Sequence, residues 1–305
     1  MTSHLNSNSN SNTNPNSYTL PKTTSLGRIA LQGSDLPELA SFYQAVVGLT
    51  VLDQTADSAV LGVEETPLLV LEQDESASER GRANAGLFHT AFRVPSRAAL
   101  GDAVERIRTN WQLTGASDHG VSEALYLTDP EGNGIEIYRD FPREEWPRAA
   151  DGVVQMTTRP LDLGPLEAAA PGADSVPKGT DLGHVHLEVT SLETFADSYV
   201  DTLGFTRQTT VPDATFVSAG GYHHHLGANT WNNRTEPHSR SERGLRWFEV
   251  LVPDERTLET VSDRVSQRQG TSTSTPTATA TLTELDDGIA VTDPDGIEIR
   301  FRVAS

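Results

Sequence analysis

Apolar and polar residues along this chain alternate in short runs, separated by stretches in which the apolar spacing lengthens to that of a helix. Alternation over 29–31 and 89–94 predicts strands, because successive side chains of a strand point to opposite faces. The spacing over 36–47 and 97–108 predicts helices with one apolar face. Further strands are predicted at 59–63, 68–71, 124–128 and 135–138. The run Asp129-Pro-Glu-Gly-Asn is a turn by its chemistry: Pro presets φ, and Gly and Asn tolerate the left-handed region. One unit emerges, a strand, a helix and three strands, and four such units follow one another. The predicted fold class is α+β, four βαβββ modules.

The modules fall into two homologous halves. Leu26-Gly-Arg-Ile-Ala-Leu, with Asp35-Leu36, Tyr43 and Gly48-Leu49 behind it, returns 156 residues later as Leu182-Gly-His-Val-His-Leu, Ser191-Leu192, Tyr199 and Gly204-Phe205. Gly86-Leu-Phe-His-Thr-Ala-Phe before Pro95 returns as Gly244-Leu-Arg-Trp-Phe-Glu-Val before Pro253. Leu127-Thr-Asp-Pro-Glu-Gly-Asn-Gly-Ile-Glu-Ile returns as Val291-Thr-Asp-Pro-Asp-Gly-Ile-Glu-Ile. Two module pairs are therefore expected at 25–140 and 180–305, joined by a Pro/Gly/Ala-rich linker at 141–179. The Asn/Ser/Thr-rich residues 1–24 read as a disordered tail, and the Ser/Thr run 271–281 as an exposed loop.

Composition narrows the function. The 305 residues contain no cysteine, which removes disulfides and thiolate metal sites. No run is long and apolar enough to span a membrane, and the tail lacks the basic and apolar regions of a secretory signal, so a cytoplasmic enzyme is expected. The formal charge is −20, and only Lys22 and Lys178 among the 23 basic residues are lysines. Such a surface repels nucleic acid. It also resembles proteins that work in concentrated salt, where screening offsets self-repulsion.

The histidines are not scattered. Nine occur, and apart from His4 and His238 they occupy corresponding places in the two middle modules. His89 opens the first strand of module two and Glu136 lies on its last. His184 opens the first strand of module three, with His223, His224 and His225 assigned to its last. Arg28 stands at the first-strand place in module one, and Arg246 and Trp247 in module four. A single strand histidine is usually a core residue with its hydrogen bonds met. Two imidazoles and a carboxylate from three strands are instead the ligand set that leaves open positions on non-haem Fe(II). The same donors suit Mn(II), and ligand type also admits Ni(II) or Zn(II); a closed structural zinc site is disfavoured without thiolates.

These residues resemble the vicinal oxygen chelate superfamily, which includes glyoxalases, bleomycin resistance proteins and type I extradiol dioxygenases. The likeness covers nearly all of 25–303. Within the superfamily it is greatest to the catechol 2,3-dioxygenases, carried by the segment from Asp118 to Tyr138 and by Gly221-Tyr-His-His-His-Leu-Gly-Ala-Asn-Thr-Trp. The resemblance implies that pairs of modules curl into cup-shaped half-barrels. It implies that His89, His184 and Glu136 hold the iron, that Tyr126 and His119 contact the substrate, and that one of the three consecutive histidines is the acid–base group. Alternation puts His223 and His225 on one face and His224 on the other. Asn229 and Trp231 favour His225, with His223 second.

The implied function is extradiol cleavage of catechol or a substituted catechol by O2. The substrate is thus a small aromatic diol; a homo-oligomer is left open. Two other readings use the same fold: a glyoxalase-type isomerase or lyase with His225 as a fourth ligand, and a metal-free, resistance-type binding protein. One departure stands out. The best-known extradiol enzymes keep their ligands in modules three and four, whereas module four here lacks the histidine. A gapless match after Gly296 puts Arg300 at the carboxylate place, with Glu298 as a substitute if the turn is shortened. The cup is therefore expected between modules two and three, within one chain or by swapping between subunits. Arg28, Arg246 and Arg300 are expected to form salt bridges in the other cup. Asp129 and Asp293 are expected to be structural turn residues, and the four tryptophans core or interface rather than substrate-stacking residues.

Overall fold

A computed structural model describes residues 18–150, 152–271 and 280–304. Module one comprises β1 (Ser25–Gly33), α1 (Leu36–Phe42), β2 (Thr50–Gln54), β3 (Ser58–Val63) and β4 (Thr66–Gln73). Module two comprises β5 (Gly86–Arg93), α2 (Arg97–Asn110), β6 (Gly115–Asp118), β7 (Ser122–Thr128) and β8 (Gly134–Asp140). Between the halves lie β9 (Arg159–Pro160) and α3 (Gly164–Glu167). Module three holds β10 (Asp181–Glu188), α4 (Leu192–Ala196), β11 (Thr206–Val211), β12 (Ala214–Ser218) and β13 (Leu226–Asn229). Module four holds β14 (Gly244–Val252), α5 (Glu255–Thr271), β15 (Thr281–Leu285), β16 (Gly288–Thr292) and β17 (Glu298–Val303). The fold is α+β and sheet-dominated.

Each module helix starts where a short polar side chain caps it. Asp35, Ser96, Ser191 and Asp254 accept from the backbone N–H of Glu38, Ala99, Thr194 and Thr257 respectively. Each cap is worth about 1 kcal/mol. The predicted helix 36–47 divides: α1 relaxes into a π-helical turn, Tyr43–Val47, which ends at Gly48 with φ 90°. The second half repeats this with a π-turn over Asp197–Thr202 and Gly204, also at φ 90°.

The modules pair across the halves. One sheet runs β11-β12-β13-β10-β5-β8-β7-β6-β9, joining modules three and two; the other runs β15-β16-β17-β14-β1-β4-β3-β2, joining four and one. Strand alternation sorts residues by face. Val185, Leu187 and Val189 enter the core with Phe92, Ile135 and Ile137, whereas His184, His186 and Glu188 share the opposite, concave face. Within each half the two modules are tied by the Asp-Pro turns. Tyr43 donates to Asp129 (3.2 Å) and the Ser34 hydroxyl to Glu131 (2.8 Å). Tyr199 donates to Asp293 (3.0 Å) and the Thr190 hydroxyl to Asp295 (2.5 Å). Asp129 Oδ1 also accepts from the backbone N–H groups of Glu131 and Asn133, so both aspartates are structural, as expected.

Two sequence boundaries need correction. Of the tail 1–24, residues 1–17 lie outside the described residues, but Leu20 is buried and its N–H donates to the Gly204 carbonyl. The segment 141–179 is no free linker. Trp146, Val154 and Leu166 are buried, and β9 extends the first sheet by pairing with β6. Its Pro, Gly and Ala residues, most of them exposed, carry an irregular path over the surface between these buried anchors. Of the run 271–281, residues 272–279 lie outside the described residues. Among the described residues, no helix is long and apolar enough to cross a membrane.

Candidate metal centre

Strand register assembles the site. In the β8-β5-β10 row, Ala91 pairs with Glu136 on one side and with His184 on the other. His89, two residues before Ala91, shares its face. The small, fully buried Ala91 thus leaves a gap at the centre of the row, and three larger side chains close on it. His89 Nε2 lies 3.2 Å from His184 Nε2, and Glu136 Oε2 lies 3.1 Å from each nitrogen. All three residues are buried. Modules two and three therefore form the cup within one chain, the first of the two arrangements expected.

This triangle fits a metal ion. Three donors bound at about 2.1 Å on one octahedral face stand about 3.0 Å apart. Burial raises the Glu136 carboxyl, but the imidazoles, His184 ahead of His89, outweigh it and hold the carboxyl well below the usual range. Burial also holds His184 down to about 4, against the pull of Glu136. The carboxylate is thus anionic and the imidazole neutral, the states that ligate. Lone pairs converging at this distance deep in a protein suit a cation.

The triangle lines a cavity of about 480 Å³, the size of a small-molecule site. One wall is polar. His119 Nδ1 donates to the Thr157 carbonyl (2.7 Å), so its Nε2 accepts the Tyr126 hydroxyl (2.6 Å). Burial first, then Glu136, pushes the Tyr126 phenol far up, so the hydroxyl keeps its proton. Met156, Thr157 and Thr158, from the segment read as a linker, also line the cavity. The opposite wall is aromatic: Phe88, Phe216 and Trp231 around His186.

The consecutive histidines are placed differently from the expectation. They precede β13 rather than lying on it, because Gly220 and Gly221 (φ 64° and 67°) turn the chain just before them. His224 lines the cavity, its ring 4.1 Å from that of His184. His225 does not line it: its Nδ1 accepts from the Ala219 N–H at 3.1 Å. His223 lies behind His224 and reaches Asp140. The sequence reading also passed over His186, although its spacing of two from His184 on a strand places both on one face. Trp231 is corrected too. Expected in the core or an interface, it is 47% exposed, so not in the core, and it lines the cavity.

The fold agrees with what sequence comparison finds. A profile of the Glyoxalase/Bleomycin resistance protein/Dioxygenase superfamily matches residues 25–137 and 181–301. The chain belongs to this superfamily. A superfamily relative, the catechol-2,3-dioxygenase of Bacillus subtilis (strain 168), is 39% identical over 254 residues, 81% of this chain and 89% of its own. Solved superfamily folds superpose over most of the length. Glyoxalase I from Zea mays matches with a TM-score of 0.56 at 14% identity, covering 92% of each chain. A candidate dioxygenase from Bacillus subtilis matches at 0.63 and 15% identity, covering 93% of this chain and 86% of its own.

Proposed function

We propose that this protein is an extradiol ring-cleaving dioxygenase that opens catechol or a substituted catechol with O2. The observation that carries the reading is the His89–His184–Glu136 triangle, with donor atoms 3.1–3.2 Å apart at the base of a cavity with one polar and one aromatic wall. The 39% identity to a catechol-2,3-dioxygenase supports it. These three residues would hold Fe(II), and the same donors would accept Mn(II). When bound, the ion supplies open positions for both diol oxygens and O2, lowers the diol pKa and provides redox chemistry.

The chain's own groups bind, orient and move protons. Phe88, Phe216 and Trp231 give a flat ring an apolar wall and limit water. Tyr126, whose proton goes to His119, offers its oxygen as an acceptor to a substrate hydroxyl, and the Thr157 carbonyl fixes the His119 ring that orients it. His224 takes the acid–base role first given to His225, because it is the member of the trio that lines the cavity. The isomerase reading needed His225 as a fourth ligand, yet among the described residues the metal-ligand group consists of His89, Glu136 and His184.

Anaerobic loading with Fe(II), followed by oxygen uptake with catechol, tests the assignment. One O2 consumed per semialdehyde formed is expected. Glu136→Ala should lose both tight metal binding and turnover, on the order of 1,000-fold or more in rate. Full turnover by that variant, or activity only on a thiohemiacetal with a non-redox metal, would refute it.

A further inference from the structure

His223 and Asp140 lie outside the cavity lining, yet with His224 they make one hydrogen-bonded chain. Nδ1 of His224 is 2.8 Å from Nδ1 of His223, and Nε2 of His223 is 2.9 Å from Oδ1 of Asp140. The other oxygen of Asp140 accepts from Arg93 (3.1 Å) and from the Tyr222 hydroxyl (2.9 Å). His223 is 1% exposed, so its ring exchanges hydrogen bonds with protein rather than solvent.

The direction of every bond follows from the far end. A carboxylate only accepts, so His223 carries its hydrogen on Nε2. In a neutral ring Nδ1 then has the lone pair and accepts from His224 Nδ1–H. His224 is left with its lone pair on Nε2, the nitrogen that remains for whatever occupies the cavity. We propose that Asp140 and His223 are positioning residues that fix His224 as the Nδ1–H tautomer, so that it meets the substrate as a proton acceptor. The assignment rests on the reading of His224 as the acid–base group, but its first test does not use turnover.

In Asp140→Asn, the donors Arg93 and Tyr222 retain the amide oxygen, so the NH2 group turns to His223. That reverses both tautomers and leaves His224 with Nε2–H. Nitrogen-15 NMR of labelled histidines, on full-length protein loaded with Zn(II) as a diamagnetic stand-in, reads this directly. The wild type should show His224 protonated at Nδ1, and Asp140→Asn should show it at Nε2. With Fe(II), Asp140→Asn should lose about 100-fold or more in kcat with KM within about twofold, because a wrong tautomer spoils proton transfer and not binding. Tyr222→Phe removes one hydrogen bond of Asp140 while keeping its charge, and should keep both tautomers.

An Nε2–H tautomer in the wild type, or unchanged tautomers in Asp140→Asn, would overturn the assignment. The wild-type spectrum decides alone if Asp140→Asn does not fold. If the tautomers obey Asp140 but His224→Gln keeps full turnover, the positioning stands and the acid–base reading falls.

Discussion

The two cups of this molecule share strand order and register but hold opposite contents. In the first, Glu136, Ala91 and His184 stand in one row, and the small middle residue leaves room for an ion. In the second, Arg300 pairs with Glu249 as Glu136 pairs with Ala91, and Arg28 occupies the place of His184. Glu249 fills the gap that Ala91 leaves open. It accepts from Arg28 Nε and Nη2 at 2.9 and 2.6 Å and faces Arg302 at 3.3 Å. Trp247, at the place of His89, lies under the guanidinium groups of Arg300 (4.1 Å) and Arg28 (5.6 Å). Glu298, the candidate substitute ligand, pairs with Arg240 and Arg300 instead. The expected salt bridges are present: Arg28–Glu249, Arg246–Glu72 and Arg300–Glu298. One side chain at the centre of the row thus separates a cup that can hold a cation from one that carries its own charges.

The largest effect should come from erasing that difference. Ala91→Glu places a carboxylate where Glu249 sits in the second cup. We expect metal retention after dialysis to be lost, with turnover down on the order of 1,000-fold or more. A full complement of metal in this variant would deny that the gap matters. Next, Glu249→Ala strands the Arg28 guanidinium. Breaking such a pair costs about 2–4 kcal/mol, below the fully buried value because Arg28 is partly exposed. Urea unfolding should show this loss, while turnover per folded molecule stays unchanged; reduced turnover would mean the cups communicate.

The smallest effect compares the two Asp-Pro turns. Burial raises Asp129 to about 6, whereas burial together with the neighbouring Asp295 raises Asp293 to about 7. An acid whose folded pKa lies above its unfolded value binds more protons in the native state between the two. Stability therefore falls as pH rises from about 4 to about 7. Asp293→Asn should flatten that fall and raise stability at pH 8, measured by urea midpoints across the range. An unchanged slope would show that Asp293 ionises normally.

Much of this was legible in the residues. The constant offset between Leu26 and Leu182 marked the halves, and the alternation around His89 and His184 placed both imidazoles. Arginine at 28 and 300 marked the cup that lacks the ligand set. What failed did so for local reasons. Alternation presumes a strand, and two left-handed glycines remove the strand from under the three histidines, so the faces it assigned them do not apply, and the Asn229 and Trp231 match that favoured His225 carried no geometry. Segment 141–179 shows no period, so neither its buried Trp146 nor the Thr157 carbonyl that orients His119 announced itself. Asp140 closes a β-strand, and nothing in its neighbours signals that its partner is His223, 83 positions away.

Each sheet draws one module from each half, and this carries a consequence for ancestry. A two-module chain that paired with its own copy about a twofold axis would possess two identical cups, and any change in one would strike both. Joining the copies end to end breaks that bond of symmetry. From then on a residue such as Glu249 can settle in one cup while alanine persists in the other. In a joined chain one basin is therefore free to specialise in cohesion while its twin keeps an open row.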